Sequence, residues 1–193
     1  MDYHIKYKGE KGCIPVVKQG DGGLQLISFD LLFFTEAREY TEKTRDSEVC
    51  IVLLGGKCTI ECEGNEWKSI GEREDVFSGP AAAVYVPRDS EFTVKGTDGP
   101  FEAAILRTKT EIRAEPIYLP SSNVKISERG KDNWTRYVHD ILDARTPAGN
   151  MLVGETFSPA GNWSSAPPHR HDIENPPEET DHEEIYLFKV KPE

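Results

Sequence analysis

Short alternations of apolar and polar residues dominate the chain and predict an all-β protein. Between 45 and 115, the segments VCIVLLGG, KCTIECEG, AAAVYVP, EFTVKG and FEAAILRTK are rich in residues that favour strands, and Gly, Pro or Asp separate them. No segment of this region has the 3.6-residue period of a helix. We interpret VCIVLLGGKCTIECEG as a hairpin, in which Gly55 and Gly56 supply positive φ at the turn.

A second β unit is predicted after a connector. The stretch from 111 to 132 is rich in Pro, Ser and charged residues, and NWTRYVHDIL, MLVGETFSP and EEIYLFKV follow it as strands. We therefore expect an N-terminal barrel at 1–115, and a connector with the first strands of a second barrel at 116–193. Small closed barrels have roughly eight strands, so the first is expected to be complete and the second truncated. Unpaired strand edges favour pairing with another chain, so we expect a homo-oligomer.

Composition and charge narrow the class of partner. The 193 residues carry a formal net charge of −11, whereas nucleic-acid binding depends on clustered Lys and Arg. The N-terminal MDYHIKYKGEKG has no apolar signal core, and no stretch approaches the roughly 18 apolar residues of a membrane span. We expect a soluble cytoplasmic protein that acts on a small molecule, without nucleic-acid or membrane partners.

The cysteines and the common sequence motifs give no catalytic assignment. The chain has no GxSxG, GxxxxGK[ST] or GxGxxG motif, which removes the usual hydrolase, NTPase and dinucleotide signatures. Its cysteines form no CxxC pair, so we expect reduced structural thiols rather than a zinc site. These residues are Cys13, Cys50, Cys58 and Cys62.

Histidines cluster in the segment PPHRHDIENPPEETDHEEIYLFKV. His169 and His171 lie at i and i+2, so on an extended segment both imidazoles project from one side and can converge on one cation. Seven carboxylates follow between 172 and 184, and a cation would offset their mutual repulsion. The alternative interpretation is a histidine pair in a solvated acidic loop. His182 lies two residues before Glu184 and could join such a site, but we interpret it as a loop residue, and His4 and His139 as ordinary residues.

The phase of the predicted strand EEIYLFKV selects one carboxylate. Glu184 shares a face with Tyr186 and Phe188, whereas Lys189 lies on the opposite face, which we interpret as the solvent side. An interior carboxylate without a partner is costly, and a cation would stabilise it. We therefore expect Glu184, rather than Glu183, to be the third ligand.

The segment NWSSAPPHRHDIENPPEETDHEEIYLFKV resembles the 5-deoxy-glucuronate isomerases of myo-inositol catabolism, the IolB family. The family pattern has a WSS-x-PPH-x-H core, an acidic Pro-Pro-Glu-Glu loop and an EEIY strand, and all three occur here in order. GEREDVFSGPAAAVYVPRDSEFTV is similar to the first barrel of the family. The family members are bicupins related to the 4-deoxy-5-threo-uronate isomerases of pectin breakdown.

The resemblance implies a bicupin, built of double-stranded β-helix barrels, with a metal-free first barrel. The second barrel would hold a divalent metal through His169, His171 and Glu184. Zinc is the first expectation, with manganese or iron as alternatives. A further histidine ligand is expected on later strands that this chain does not contain.

The activity implied is an aldose–ketose isomerisation, an intramolecular oxidoreduction that converts 5-deoxy-glucuronate to 5-dehydro-2-deoxy-gluconate through an enediol. The metal would stabilise the developing oxyanion, and a general base, which the sequence does not identify, would move the proton. The competing interpretation is a noncatalytic, truncated cupin-like protein that acts as an oligomerisation or sugar-binding module.

Overall fold

Strands are the dominant regular element of the computed structural model, which describes residues 4–7, 9–164 and 168–191. Three 3-10 helical turns, Asp21–Gly23, Ser121–Asn123 and Asp132–Trp134, accompany them in this part of the chain. The described residues contain no helix that is long and apolar enough to cross a membrane. The strands, in chain order, are β1 Gly12–Val17, β2 Ile27–Phe34, β3 Glu39–Lys43, β4 Ser47–Gly55, β5 Cys58–Cys62, β6 Asn65–Ile70, β7 Ala83–Val86, β8 Glu91–Gly96, β9 Phe101–Lys109, β10 Ile117–Leu119, β11 Lys125–Arg129, β12 Arg136–Leu142 and β13 Val153–Phe157.

The strands form three antiparallel sheets. The largest has six strands in the order β1-β2-β9-β4-β7-β10, the second has four in the order β3-β8-β5-β6, and the third has three in the order β11-β12-β13. Antiparallel pairing throughout, with most connections between strands short, is the architecture expected of a sandwich or barrel. The prediction of an all-β protein is confirmed.

The first hydrophobic core lies between the six-stranded and four-stranded sheets. Leu32, Ile51 and Ile105 of the six-stranded sheet meet Ile60 and Phe92 of the four-stranded sheet, and all five are almost fully buried. Cys58 and Cys62 belong to the same core, on the β5 face that the alternation indicates. All four cysteines lie in the described part of the chain and are free, and burial raises the pKa of the Cys58 thiol to about 12. Cys50, Cys58 and Cys62 are buried and Cys13 is partly buried, as structural thiols would be.

A second core covers the opposite face of the six-stranded sheet. Leu31, Cys50 and Tyr85 of that sheet pack in one cluster with Leu142 and Met151, which come from the second unit. A sheet buried on both faces explains why β4 reads as a nearly continuous apolar run rather than as an alternation. The six-stranded sheet is therefore the middle layer of the molecule.

The predicted hairpin at Gly55 and Gly56 is wrong. β4 pairs with β7 and β9, whereas β5 pairs with β6 and β8, so the chain passes from one sheet to another at this point. Gly56 has φ of 81°, and a Cβ there would lie 2.2 Å from the Pro100 carbonyl oxygen. A Cβ at Gly55 would lie 2.4 Å from the Glu74 carbonyl oxygen. Close backbone approach at a corner, rather than a two-residue turn, requires the two glycines.

The predicted connector from 111 to 132 contains two strands. β10 pairs with β7 and forms an edge of the six-stranded sheet, so the regular structure of the first unit continues just past residue 115. Pro116 and Pro120 flank β10, as prolines do at edge strands. β11 pairs with β12 and belongs to the third sheet. The division into a complete first barrel at 1–115 and a truncated second one at 116–193 stays a prediction.

The predicted strand EEIYLFKV forms no strand among the described residues, and its expected orientation is reversed. Ile185 packs against the second core, and the Lys189 ammonium lies 2.6 Å from Oε1 of Glu102 on β9. Tyr186 and Phe188, which were expected to face the interior, are 63% and 83% exposed. Lys189 lies on the inward side because the Glu102 carboxylate forms an ion pair with it there.

Candidate metal centre

The loop that carries the candidate ligands closes on itself. Asn175 and Glu179 form an isolated antiparallel bridge, in which Asn175 N donates to Glu179 O at 2.9 Å. At the open end, His182 N donates to His171 O at 3.2 Å. The bridge therefore returns the end of the acidic loop to its start. Residues 165–167, within the WSS-x-PPH-x-H core, lie outside the described residues.

Three imidazoles gather where the loop closes. The ring centroids of His169 and His171 are 5.2 Å apart and the rings are perpendicular. The centroid of His182 lies 4.9 Å from that of His171. The structure thus brings together the pair that the sequence pattern indicates, and places His182, which we interpreted as a loop residue, beside His171. Its approach depends on the fold of the loop, which the spacing alone does not indicate.

The hydrogen bond of His171 determines which ring nitrogen can bind a cation. Nδ1 of His171 lies 3.0 Å from the carbonyl oxygen of Thr180. A carbonyl oxygen only accepts, so Nδ1 carries the proton and the Nε2 lone pair is left for a ligand. Histidines that bind metals usually donate their second N–H to a carbonyl or carboxylate in this way.

Glu184 is exposed, and its carboxylate makes a local contact. The Tyr186 hydroxyl donates to Oε2 of Glu184 at 3.1 Å. Among residues 4–7, 9–164 and 168–191, no group of three or more His, Cys, Asp or Glu side chains is placed to hold a metal ion. His169 and His171 fit a metal as a pair of imidazoles, and the position of Glu184 in the ligand set stays a prediction.

Glu183 anchors the end of the loop to the first unit. Its Oε1 accepts the N–H of Gln25 at 2.6 Å, and its Oε2 accepts the N–H of Leu26 at 2.7 Å and of Ile27 at 3.2 Å. These donors precede and open β2, which is a central strand of the first unit. Glu183 and Glu184 do point in different directions, as strand phase predicts, but Glu183 is the one directed to the protein.

A buried polar group at the third sheet escaped the sequence analysis. Arg73 donates to Glu155 on β13 through Nη1 at 2.9 Å and Nη2 at 2.6 Å, and its side chain is 3% exposed. Its Nε and Nη2 also donate to the Leu53 carbonyl oxygen at 3.1 and 3.0 Å. Residues from three separate elements form this group, so no spacing in the sequence could have indicated it.

His139 lies beside this ion pair on β12, opposite Glu155 in the register. It is 8% exposed, its ring is 4.5 Å from that of Phe157, and its Nδ1 has no hydrogen-bond partner in the described part of the chain. Burial lowers the pKa of the His139 imidazole, the Glu155 carboxylate opposes that shift, and the Arg73 guanidinium adds to it. The structure therefore favours a neutral His139.

The comparisons with known proteins agree along most of the chain. The model of the KduI/IolB family matches residues 4–193. A 5-deoxy-glucuronate isomerase from Geobacillus kaustophilus is 37% identical over 185 residues, which cover 95% of this chain and 66% of that protein. A 5-deoxy-glucuronate isomerase from Bacillus subtilis strain 168 is 33% identical over 178 residues, which cover 91% and 65%.

Solved structures support the fold. An IolB-like protein from Salmonella typhimurium LT2 superposes with a TM-score of 0.84 at 28% identity, over 89% of this chain and 65% of that one. A putative glyoxylate-induced protein from Pseudomonas aeruginosa has a TM-score of 0.58 at 11% identity, over 76% and 54%, and indicates the fold alone. The expectation of an all-β, cupin-type fold is confirmed.

The chain spans about two thirds of the length of the curated relatives that it matches. Within that span, the family model covers both β units and the histidine loop. The chain belongs to the KduI/IolB family.

Proposed function

We propose that this chain contributes to an aldose–ketose isomerase that converts 5-deoxy-glucuronate to 5-dehydro-2-deoxy-gluconate. The observation that carries the proposal is 37% identity over 95% of the chain to a relative named 5-deoxy-glucuronate isomerase. The paired imidazoles of His169 and His171 support a centre of the kind that such a reaction needs. The substrate class is a uronate-type sugar acid.

The reaction moves a proton between adjacent carbons through an enediol. Bound zinc, or manganese or iron in its place, would supply Lewis-acid stabilisation of the substrate oxygens. His169 and His171 would hold the ion, His171 through Nε2, with Glu184 as the third ligand. The hydrogen bond from His171 Nδ1 to Thr180 O keeps that ring in the tautomer that binds through Nε2.

The charge of the loop limits how the substrate carboxylate can be bound. Arg170 is the cation nearest in sequence to both histidines, but its Nε already lies 3.0 Å from Oε2 of Glu179. The loop carries seven carboxylates between 172 and 184, which repel an anionic substrate. We therefore do not propose Arg170 as the carboxylate-binding residue, and a bound cation would also offset this repulsion.

An isomerase assay with 5-deoxy-glucuronate tests the proposal. We expect turnover that a chelator abolishes, that added zinc or manganese restores, and that His169→Ala removes. His4→Gln is the matched control, since His4 is exposed and lies far from the loop in sequence, and its activity should equal that of the wild type. Turnover that withstands both chelation and His169→Ala would contradict the metal assignment, and absence of turnover in the metal-loaded wild type would contradict the isomerase.

A noncatalytic module is the second candidate. The described residues gather no three-ligand group. This candidate predicts binding of the sugar acid in calorimetry without turnover in the assay above.

We also propose a homo-oligomer, because Tyr186, Phe188 and Val190 are 63%, 83% and 87% exposed within a single segment. Sedimentation of a monomer at all concentrations would contradict it.

A further inference from the structure

One carboxylate of the acidic loop differs from the others in its surroundings. The Glu179 side chain is 9% exposed, although the loop around it is exposed. A carboxylate withdrawn from water to this extent needs hydrogen-bond donors, because the loss of hydration is otherwise uncompensated. The hydrogen-bond donors around Glu179 therefore indicate its structural role.

All three donors come from the segment around His171. Oε1 of Glu179 accepts the N–H of Asp172 at 2.6 Å and of Ile173 at 3.2 Å, and Oε2 accepts Nε–H of Arg170 at 3.0 Å. Arg170 directly precedes His171, and Asp172 and Ile173 directly follow it. The carboxylate thus lies across the turn of chain that presents the ring, with charge-assisted hydrogen bonds on both sides of it.

The main chain near Glu179 adds to the same contact. The carbonyl of Thr180, the next residue, faces Nδ1 of His171, and His182 N donates to His171 O. Residues 179–182 therefore contact residues 170–173 through side chain and backbone together. Because the ring Nδ1 and the backbone carbonyl of His171 both make their hydrogen bonds with this short segment, the orientation of the ring depends on where Glu179 holds the segment.

We propose that Glu179 is a positioning residue that fixes the orientation of His171, and with it the His169–His171 pair, before any cation binds. The proposal rests on the proposed function only for what the pair binds. Pre-set ligand geometry matters because outer contacts of this kind change metal affinity by about 10- to 100-fold in known sites.

Glu178 provides the matched control. It has the same charge and lies one residue away, but it is exposed, and within the described loop it accepts none of the three bonds made to Glu179. If the loop attracted cations only by its negative charge, neutralising either glutamate would have the same effect. If Glu179 positions His171, substitution of Glu179 will change the tautomer of the His171 ring, and substitution of Glu178 will not.

The first experiment uses the metal-free protein and nitrogen-15 NMR of the histidine rings. In the wild type and in Glu178→Gln, we expect His171 in the Nδ1–H tautomer and protected amides at Asp172 and Ile173. In Glu179→Gln and Glu179→Ala, we expect mixed tautomers at His171 and faster exchange of both amides. Glu179→Gln keeps the shape of the side chain and serves where the alanine variant does not fold. An unchanged His171 tautomer in the folded variant would overturn the proposal.

The second experiment measures zinc and manganese affinity on the same proteins. We expect Glu179→Gln to weaken binding by about 10- to 100-fold at an unchanged unfolding midpoint, with Glu178→Gln equal to the wild type. Arg170→Gln should weaken it less than Glu179→Gln, because that arginine is 69% exposed and its ion pair is screened. Equal affinity in Glu179→Gln and the wild type would overturn the positioning role.

The two proposals fail in different ways. If the wild type binds no metal in a His169-dependent manner, the metal assignment under the proposed function is wrong, and the metal-free NMR result still decides whether Glu179 orients His171. If the wild type binds metal and isomerises its substrate while Glu179→Gln behaves identically, the proposed function stands and the role of Glu179 is wrong.

Discussion

His139 is a buried residue whose protonation links pH to the free energy of unfolding. Its folded-state pKa is lowered, whereas in the unfolded chain it takes its usual value near 6.5. As pH falls below about 6.5, the unfolded state binds a proton that the folded state does not yet bind, so the free energy of unfolding decreases. Above that pH, His139 is neutral in both states and contributes no pH dependence.

We therefore predict that wild-type stability decreases between pH 7 and pH 5 by more than that of His139→Gln. Urea denaturation at each pH measures the difference. A slope for His139→Gln equal to that of the wild type would show that the imidazole protonates in the folded state as readily as in water.

The roles of single residues were only partly predictable. His169 and His171 stood out because two imidazoles at i and i+2 are a local pattern. The packing of Glu179 across the His171 turn was not predictable, because it needs the bridge between Asn175 and Glu179 to fold the loop first. The sequence shows seven similar carboxylates between 172 and 184, and only the hydrogen-bond donors in the folded loop distinguish Glu179 from the others.

Among the elements, the segment from 183 to 190 is held to the first unit by side chains rather than by a strand ladder. Glu183 binds three backbone amides at the start of β2, and Lys189 pairs with Glu102 on β9. The hydrogen bonds of Glu183 at one end and the Lys189–Glu102 ion pair at the other fix the segment, and Tyr186 between them stays exposed.

We predict that Glu183→Ala will speed amide hydrogen exchange at Gln25, Leu26 and Ile27 by about tenfold, since hydrogen bonds to a charged group each contribute about 1.5 kcal/mol or more. NMR-detected exchange measures this directly. Glu184→Ala is the neighbouring control and should leave the three amides at the wild-type rate. Equal exchange in Glu183→Ala and the wild type would mean that these contacts do not protect the backbone.

Strand prediction succeeded where alternation was strong and failed where strands are polar or where pairing is distant. EFTVKG and FEAAILRTK correspond to β8 and β9 at both ends. β3, EYTEK, and β11, KISER, were missed because edge strands of their sheets carry few apolar residues. The supposed hairpin at β4 and β5 failed because two apolar strands around glycines look alike whether they pair or change sheets. Lys189 was misplaced because its partner is 87 residues earlier in the chain.

For the whole molecule, two acidic side chains join the β units: Glu48, which is buried, and Glu155, which is partly buried. Glu48 on β4 is fully buried and accepts hydrogen bonds from the Tyr85 hydroxyl at 2.8 Å and from the N–H groups of Gly149 and Asn150 at 2.7 Å each. In the reverse direction, Glu155 of the second unit forms an ion pair with the guanidinium of Arg73 in the first unit. Each unit thus satisfies buried polar groups of the other, which argues for unfolding in a single transition.

We predict that Arg73→Met will lower the free energy of unfolding by about 3–5 kcal/mol, because it leaves Glu155 largely buried without its cation. The double variant Arg73→Met/Glu155→Leu should recover most of the loss. Lys68→Met, which removes an exposed pair with Glu66, should cost no more than about 1 kcal/mol. Urea denaturation followed by circular dichroism and by tryptophan fluorescence measures stability and cooperativity together. Non-coincident curves, or a loss below about 1 kcal/mol for Arg73→Met, would contradict the link.

The two-sided burial of the six-stranded sheet also affects the order in which the protein can be made. Strands β1 to β9 leave the ribosome before Ile141, Leu142 and Met151, the residues that complete the second core. At about 5–20 residues per second, the nascent chain presents the apolar face around Leu31, Cys50 and Tyr85 for several seconds without its cover. During synthesis the chain is therefore exposed to aggregation, and slower translation would lengthen that interval.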